Sequence, residues 1–352
     1  MNSIIHERPG VYSSYDASAS LRGGRAVRVI GAAAKSKTGT PNVPVVITSY
    51  EMGLSVFGED DAASPGMSTL LKLLFLGGVS MVSAVAVDGE DYASAFTALQ
   101  GVEDVRVVVC DSGELAVQQA LRASLESASA ARRERVAVVG MNGATTAELT
   151  ARAKALNSER MVLVGPDGLD SNGKFLPGVF AAAAVAAAIA VIRDPAIPLN
   201  GSTLYGLGGV SEQYGDNEID LLVRGGVTPL EAVGGVVSPV RGITTRTTTA
   251  GADDTTWREL TTILIVDDVI PSIRQSLRSR FSQAKNTVQT RGAIRSQVIV
   301  ELESKLRAEI IDGYGDVTVS VYEDDPTVCL VEFSFSVAHG LNQIYLTAHI
   351  TI

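Results

Sequence analysis

Three polar residues sit where an α/β enzyme would keep its chemistry. Asp111 closes the run VRVVVCD, Asn142 follows VAVVGM, and Asp167 follows MVLVGP. Ligands in parallel sheets bind beyond the carboxyl ends of the strands, so these carboxylates could form a paired acid/base site. The same residue types also cap the helices that follow such strands, by accepting hydrogen bonds from free amides. Capping is the expectation here, because supporting motifs are missing. No G-x-G-x-x-G follows the first strand-like run, and no G-x-S-x-G occurs. GAAAKSKTG (31–39) lacks the glycine that should precede the lysine of a phosphate loop. His6, His339 and His349 do not have the spacing of metal ligands. Asp253–Asp254 and Asp267–Asp268 are adjacent pairs, and neighbours on a strand point to opposite faces. The chain is expected to be no enzyme and to hold no cofactor or metal.

The elements that would position these residues follow a repeating order. Between 101 and 192, apolar runs (DVRVVVCDS, RERVAVVGMNG, ERMVLVGPDG) alternate with helical patterns, ending in the Ala-rich VFAAAAVAAAIAVI. Such a β-α-β-α order predicts a doubly wound, mostly parallel sheet. Upstream, VPVVITSY and GGVSMVSAVAVDG predict strands around a helix in SPGMSTLLKLLFL, with Ser64 as N-cap and Pro65 in first position. Residues 200–242 are Gly- and Pro-rich and predict a connector.

The last third differs in kind. A strand is expected over Thr261–Val266, then a helix opened by Pro271, then a longer helix ended by Gly313. Ile294, Val298, Leu302, Leu306 and Ile310 would form its apolar stripe, with Glu301–Lys305 and Glu303–Arg307 pairs on the wet side. Two strands around an acidic turn follow. In NQIYLTAHITI, the residues Ile344, Leu346, Ala348, Ile350 and Ile352 share one face if the segment is extended. Such a strand needs a partner edge. At the other end, Pro9, Gly10, Val11 and Tyr12 lie in an irregular arm without helical or sustained strand periodicity.

The expected organisation is α/β plus α+β. An N-terminal extended arm (1–25) precedes a small mixed β/α unit (26–100) and the α/β domain with its connector (101–242). An α+β C-terminal domain (243–341) and a C-terminal strand arm (342–352) complete it.

Composition narrows the partners. The net charge of −10 argues against nucleic acid and anionic membranes. The opening MNSIIHERPG has no apolar stretch of secretory type, and the Ala-rich run is too short to span a bilayer. Cys110 and Cys329 each sit in an apolar run and imply no disulfide framework. Charge is uneven, however. Between Trp257 and Arg307 there are nine Lys/Arg and five Asp/Glu. Arg274, Arg278, Arg280 and Lys285 crowd one stretch, which suggests a solvated face, a docking helix for an acidic partner, or a nucleic-acid contact that the lack of interleaved aromatics argues against.

HERPGVY, PVVITSYEMGLSVFG, DPAIPLNG, GVTPLEAVGG and the run from DTTWRELTTILIVDDV to HGLNQIYLTAHITI resemble the tail sheath proteins of contractile bacteriophages. The likeness is to the short sheaths of Firmicutes-type prophages and phage-tail-like bacteriocins. It implies a structural subunit stacked as hexameric rings around a tail tube, whose contraction drives the tube through an envelope. It implies further that the two terminal arms join sheets of neighbouring copies, and that a C-terminal-domain helix holds the tube. By position that helix is Pro271–Lys285. The implied partners are further copies of the chain, the tube, the baseplate and the terminator. The implied location is the bacterial host cytoplasm during assembly, then the virion tail or a released phage-tail-like particle.

Overall fold

A computed structural model of the chain describes residues 29–61, 63–323 and 325–342. In chain order the first elements are β1 (Val29–Ala34), β2 (Val45–Ile47), α1 (Tyr50–Phe57), α2 (Met67–Leu76), β3 (Val82–Ala86) and α3 (Tyr92–Gln100). There follow β4 (Val105–Cys110), α4 (Leu115–Ala130), β5 (Val136–Gly140), α5 (Thr146–Leu156) and β6 (Met161–Gly165). The strands β7 (Gly168–Leu169) and β8 (Phe175–Leu176) precede α6 (Gly178–Val191), and β9 (Gly209–Val210) precedes α7 (Asp216–Arg224). After them come β10 (Val227–Val233), β11 (Val236–Pro239), β12 (Thr248–Thr249) and β13 (Ala252–Asp253).

One eight-stranded sheet organises these elements, in the order β11-β10-β6-β5-β4-β1-β3-β2. The strands β10, β6, β5, β4, β1 and β3 run parallel, and β11 and β2 close the edges antiparallel. The central strands read as unbroken apolar runs because both faces are buried. On one face α1, α2 and α6 pack on Ile30, Val82, Val107, Val138 and Val162. On the other, α3, α4, α5 and α7 pack on Val85, Val108, Ala137 and Leu163. The doubly wound, mostly parallel sheet is therefore present. Gly140 lets the start of α6 lie close to the sheet: a Cβ there would come within 2.2 Å of the Gly178 carbonyl oxygen.

Several details differ from the sequence reading. The sheet runs across residue 100, since β1, β2 and β3 join the strands of 101–242. The Gly/Pro-rich stretch 200–242 holds α7, β10 and β11. Pro229, which has no N–H, lies on β10, where Val227–Pro229 pair with β6 and Val240 donates to the Pro229 carbonyl. The helix expected from Ser64 starts at Met67 with Gly66 as N-cap. Asp60 takes the free amides of Gly66 and Thr69 instead (2.7 and 2.8 Å).

The C-terminal unit contains α8 (Leu260–Phe281), α9 (Val288–Arg307), β14 (Ile311–Tyr314), β15 (Thr318–Tyr322), β16 (Asp325–Glu332) and β17 (Phe335–Val337). Thr261–Val266 is helical, not a strand, and Pro271 lies inside α8 rather than at its start. β-Branched residues favour strands locally, but burial decides here. Leu260 and Ile263 enter the core of the α/β sheet, whereas Ile265, Val269 and Ile273, four residues apart, enter the C-terminal core. Only a helix presents both sets. Gly313 does not end α9; it lies on β14, and Ala308 is the cap. Lys305 is buried against Asp268 of α8 instead of pairing with Glu301 in water.

Candidate assembly surfaces

The polar residues at the sheet's carboxyl edge are tied inward. Asp111 accepts the Lys35 amide (2.9 Å) and the Tyr92 hydroxyl (2.6 Å), bridging β1 and β4 where the winding reverses. Burial pushes its carboxyl up, and these bonds pull it part of the way back. Asp167 accepts the Gly143 amide (2.8 Å) and the Gly178 amide (2.6 Å), the latter at the start of α6. The capping expectation holds for Asp167, and Asp111 serves as a strand tie. Asn142 lies in the turn after β5. The cations of the loop 31–39 are also taken, Lys35 by Glu90 and Lys37 by Asp61 (2.8 Å). Asp111 ties β1 to β4 and Asp167 ties the turn after β5 to the start of α6, so the edge is a set of backbone ties rather than an acid/base pair.

At the opposite edge, α8 docks by charge. Asp267 accepts both arms of the Arg160 guanidinium, Nη1 at 2.7 Å and Nη2 at 3.0 Å, just before β6. Seven residues on, on the same face of α8, Arg274 reaches Glu134 just before β5 (2.7 Å). Burial pushes Glu134 up, but the Arg274 hydrogen bond, a backbone hydrogen bond and the charges of Arg274 and Arg106 together outweigh it and leave the carboxyl below its ordinary range. The signs alternate, acid then base on α8 and base then acid on the sheet. A helix shifted along its axis would set like charges together. Sequence reading missed this junction because 107 residues separate Arg160 from Asp267.

The expected docking residues therefore divide. Arg274 is half-buried and paired to Glu134. Arg278 and Arg280 are exposed on the last turn of α8, and Lys285 is exposed in the link to α9, beyond the helix it was expected to share. Residues 269–300 contain no Asp or Glu. The helix pair thus ends in a cationic tip on an acidic chain.

The strands beyond α9 pair only two by two among the described residues: β14 with β17 and β15 with β16, both antiparallel. They lie on a core of Ile265, Val269, Val298 and Leu302. On the outer face Tyr322, Val328 and Leu330 are exposed. Among the described residues neither ribbon has a third strand, and two strands are few for a sheet. Pro9, Gly10, Val11 and Tyr12 and the arm residues Ile344, Leu346, Ala348, Ile350 and Ile352 lie outside the described residues.

Comparison with known proteins places both halves of this architecture. Residues 86–245 match the phage tail sheath protein central domain, and residues 252–351 match the phage tail sheath C-terminal domain. The tail sheath protein of Bacillus phage SP01 is 32% identical over 252 residues, covering 70% of this chain and 43% of its own. The chain spans about half the length of the curated relatives it matches. Among solved structures, the sheath tail protein of Desulfitobacterium hafniense superposes with a TM-score of 0.71 at 12% identity, covering 93% of this chain and 100% of that one. The anti-feeding prophage helical sheath in its contracted state gives 0.71 at 16% identity, covering 98% and 99%. These structures share the fold, and the two domain matches, consecutive along the sequence, carry the assignment: the chain belongs to the phage tail sheath family.

Proposed function

We propose that the chain is a structural, non-catalytic subunit of a contractile tail sheath, which polymerises as hexameric rings around a tail tube and contracts to drive it through a cell envelope. The observation that carries the reading is the pair of two-stranded ribbons on α8 and α9. With no third strand among the described residues, each ribbon suits a strand from another copy, because edge N–H and C=O groups are completed by an added strand. The alternating segment Ile344–Ile352 and the arm around Pro9–Tyr12 are the donors. Strand exchange ties copies together while the folded units move as bodies. The unit 243–341 would carry these polymer contacts, and the sheet domain would face outward from them.

The tube contact falls on Arg278, Arg280 and Lys285, which are exposed, and not on Arg274, which is held by Glu134. The baseplate and a terminator are the partners at the two ends of the polymer. The subunit would assemble in the bacterial host cytoplasm and then reside in a virion tail or a phage-tail-like particle. Electron microscopy of the purified chain tests the reading. Tubular polymers are expected, and removal of 342–352 should leave a folded subunit that builds none. Tubes from the shortened chain would refute strand donation, and a small closed oligomer would refute the sheath role.

A further inference from the structure

The described chain leaves the C-terminal ribbons before it reaches residue 343. After β17 it crosses back to the α/β unit. A Cβ on Gly340 would sit 3.0 Å from Pro198 Cγ, and Asn342 Oδ1 accepts Asn200 Nδ2 at 2.8 Å. Leu341, between these two contacts, is 72% exposed. Asn342, the last described residue, thus lies against 198–200 and not on a ribbon.

That surface is apolar and open. Ile197 and Pro198 line one crevice with Ile189 and Ile192 at the end of α6. Val191 neighbours Gly78 at the end of α2, whose Cβ would lie 3.7 Å from Val191 Cγ2. Leu76 neighbours Gly206, whose Cβ would lie 3.3 Å from Leu76 Cδ1. Leu76, Val191, Ile197 and Tyr205 each leave about half of their surface to solvent. They form one band across the ends of α2 and α6, starting where Asn342 is anchored. A contiguous apolar band on an acidic protein marks a binding surface.

We infer that in the unassembled subunit this band holds the chain's own residues 343–352. The ten residues reach about 33 Å when extended, enough to cross the ends of two packed helices. Their alternation would put Ile344, Leu346, Ala348, Ile350 and Ile352 on the band and leave Tyr345, Thr347, His349 and Thr351 to water. Tethering at Asn342 favours the chain's own segment over another copy's, since the local concentration of a directly linked segment is high. The contact is shallow and open, so a ribbon edge, which adds backbone hydrogen bonds, can take the segment away. Parking would keep a sticky strand from pairing at random before assembly.

Hydrogen exchange followed by mass spectrometry on the unassembled fraction tests this. Amides of 189–207 should exchange several-fold more slowly in the full chain than in a chain ending at Asn342. Segment 343–352 should itself be protected, and should lose that protection in the double variant Leu76→Ser/Ile197→Ser, whose changes lie on the surface. Protection should persist on dilution. Equal exchange at 189–207 with and without the segment, or an unprotected segment in the full chain, would overturn the inference. Protection that disappears on dilution would also overturn it, by assigning the band to a second copy. The readout is separate from polymerisation: a chain that never forms tubes could still park the segment, and a chain that forms tubes without this protection would refute parking alone.

Discussion

Arg160 and Asp267 meet through two parallel hydrogen bonds, 2.7 and 3.0 Å, and join the amino edge of the sheet to the middle of α8. Both side chains are almost wholly covered, 10% and 12% exposed. Burial pushes the Asp267 carboxyl up, and the guanidinium fork pulls it part of the way back. A covered ion pair contributes little net stability relative to an apolar pair, but losing one member strands the other. Asp267→Ala should therefore destabilise the chain by about 3–5 kcal/mol, read as a lower denaturation midpoint. Arg160→Met/Asp267→Leu together should recover most of the loss, and the recovery separates a stranded charge from general damage.

Arg274 and Arg278 are one turn apart and should behave in opposite ways. Arg274→Glu sets a carboxylate against Glu134 and should lower stability by about 2–4 kcal/mol, as expected for breaking a partly buried charged contact. Arg278→Glu, Arg280→Glu and Lys285→Glu combined should leave the melting temperature nearly unchanged, because surface charges away from a partner contribute little. The triple variant should form sheath polymers but fail to co-sediment with tubes. Undiminished co-sedimentation would remove the cationic tip from the tube contact.

Packing at the carboxyl end of β5 leaves no room for a side chain. A Cβ on Gly178 would lie 2.1 Å from the Met141 carbonyl oxygen, a backbone atom that cannot swing aside. Gly178→Ala should cost about 3 kcal/mol or more, at the upper end of overpacking penalties. A Cβ on Gly292 would meet no atom within 4 Å beyond its own stretch of helix, and alanine improves helix propensity. Gly292→Ala on α9 should stabilise by about 0.5–1 kcal/mol. Thermal unfolding of the two variants checks both signs.

Why some of this was legible and some not follows from where the information sits. The strands β4, β5 and β6 stand out as apolar runs because a parallel sheet buries both faces, and the helices between them keep a polar side. Thr261–Val266 misled because its β-branched content speaks for a strand, while the two cores it must reach lie far away in sequence. Lys305 reads as half of a pair with Glu301, since a helix's own pattern says nothing of the carboxylate that α8 offers it. The stretch 225–239 reads as a connector because Gly225, Gly226 and Pro229 punctuate it, although its pairing with β6 puts it in the main sheet. The candidate docking residues stand out in the sequence as a charge cluster, but only the fold separates Arg274, which is committed to Glu134, from its exposed neighbours.

Only strong acid should reach the β12–β13 hairpin, which leads from the sheet into α8. Hydrogen bonds from the Thr249 hydroxyl (2.6 Å) and from Thr256 (2.8 Å to its amide) hold the Asp254 carboxyl at about 2, down from 3.8. The folded value lies below the unfolded one, so the contribution to stability is complete above about pH 4. It is lost as pH falls from there toward 2. A carbon-detected titration of Asp254 should show a midpoint near 2. Asp254→Asn should flatten the acid response of the hairpin amides over that window. A midpoint at the ordinary value would deny the hydrogen-bonded carboxylate.

The two cysteines can report on assembly without any substitution. Cys110 is buried at the end of β4, and burial pushes its thiol up to about 12, so both access and ionisation protect it. Cys329 is only partly covered, on β16 opposite Val321. An aromatic disulfide reagent should therefore titrate one thiol per unassembled native chain and both after unfolding. If a strand from another copy completes the β15–β16 ribbon, Cys329 should react several-fold more slowly in the polymer, while Cys110 stays silent in both forms. A rate at Cys329 that is the same in subunit and polymer would place the added strand elsewhere, at β14 or β17. The comparison thus tests whether the β15–β16 ribbon takes up a strand when copies assemble.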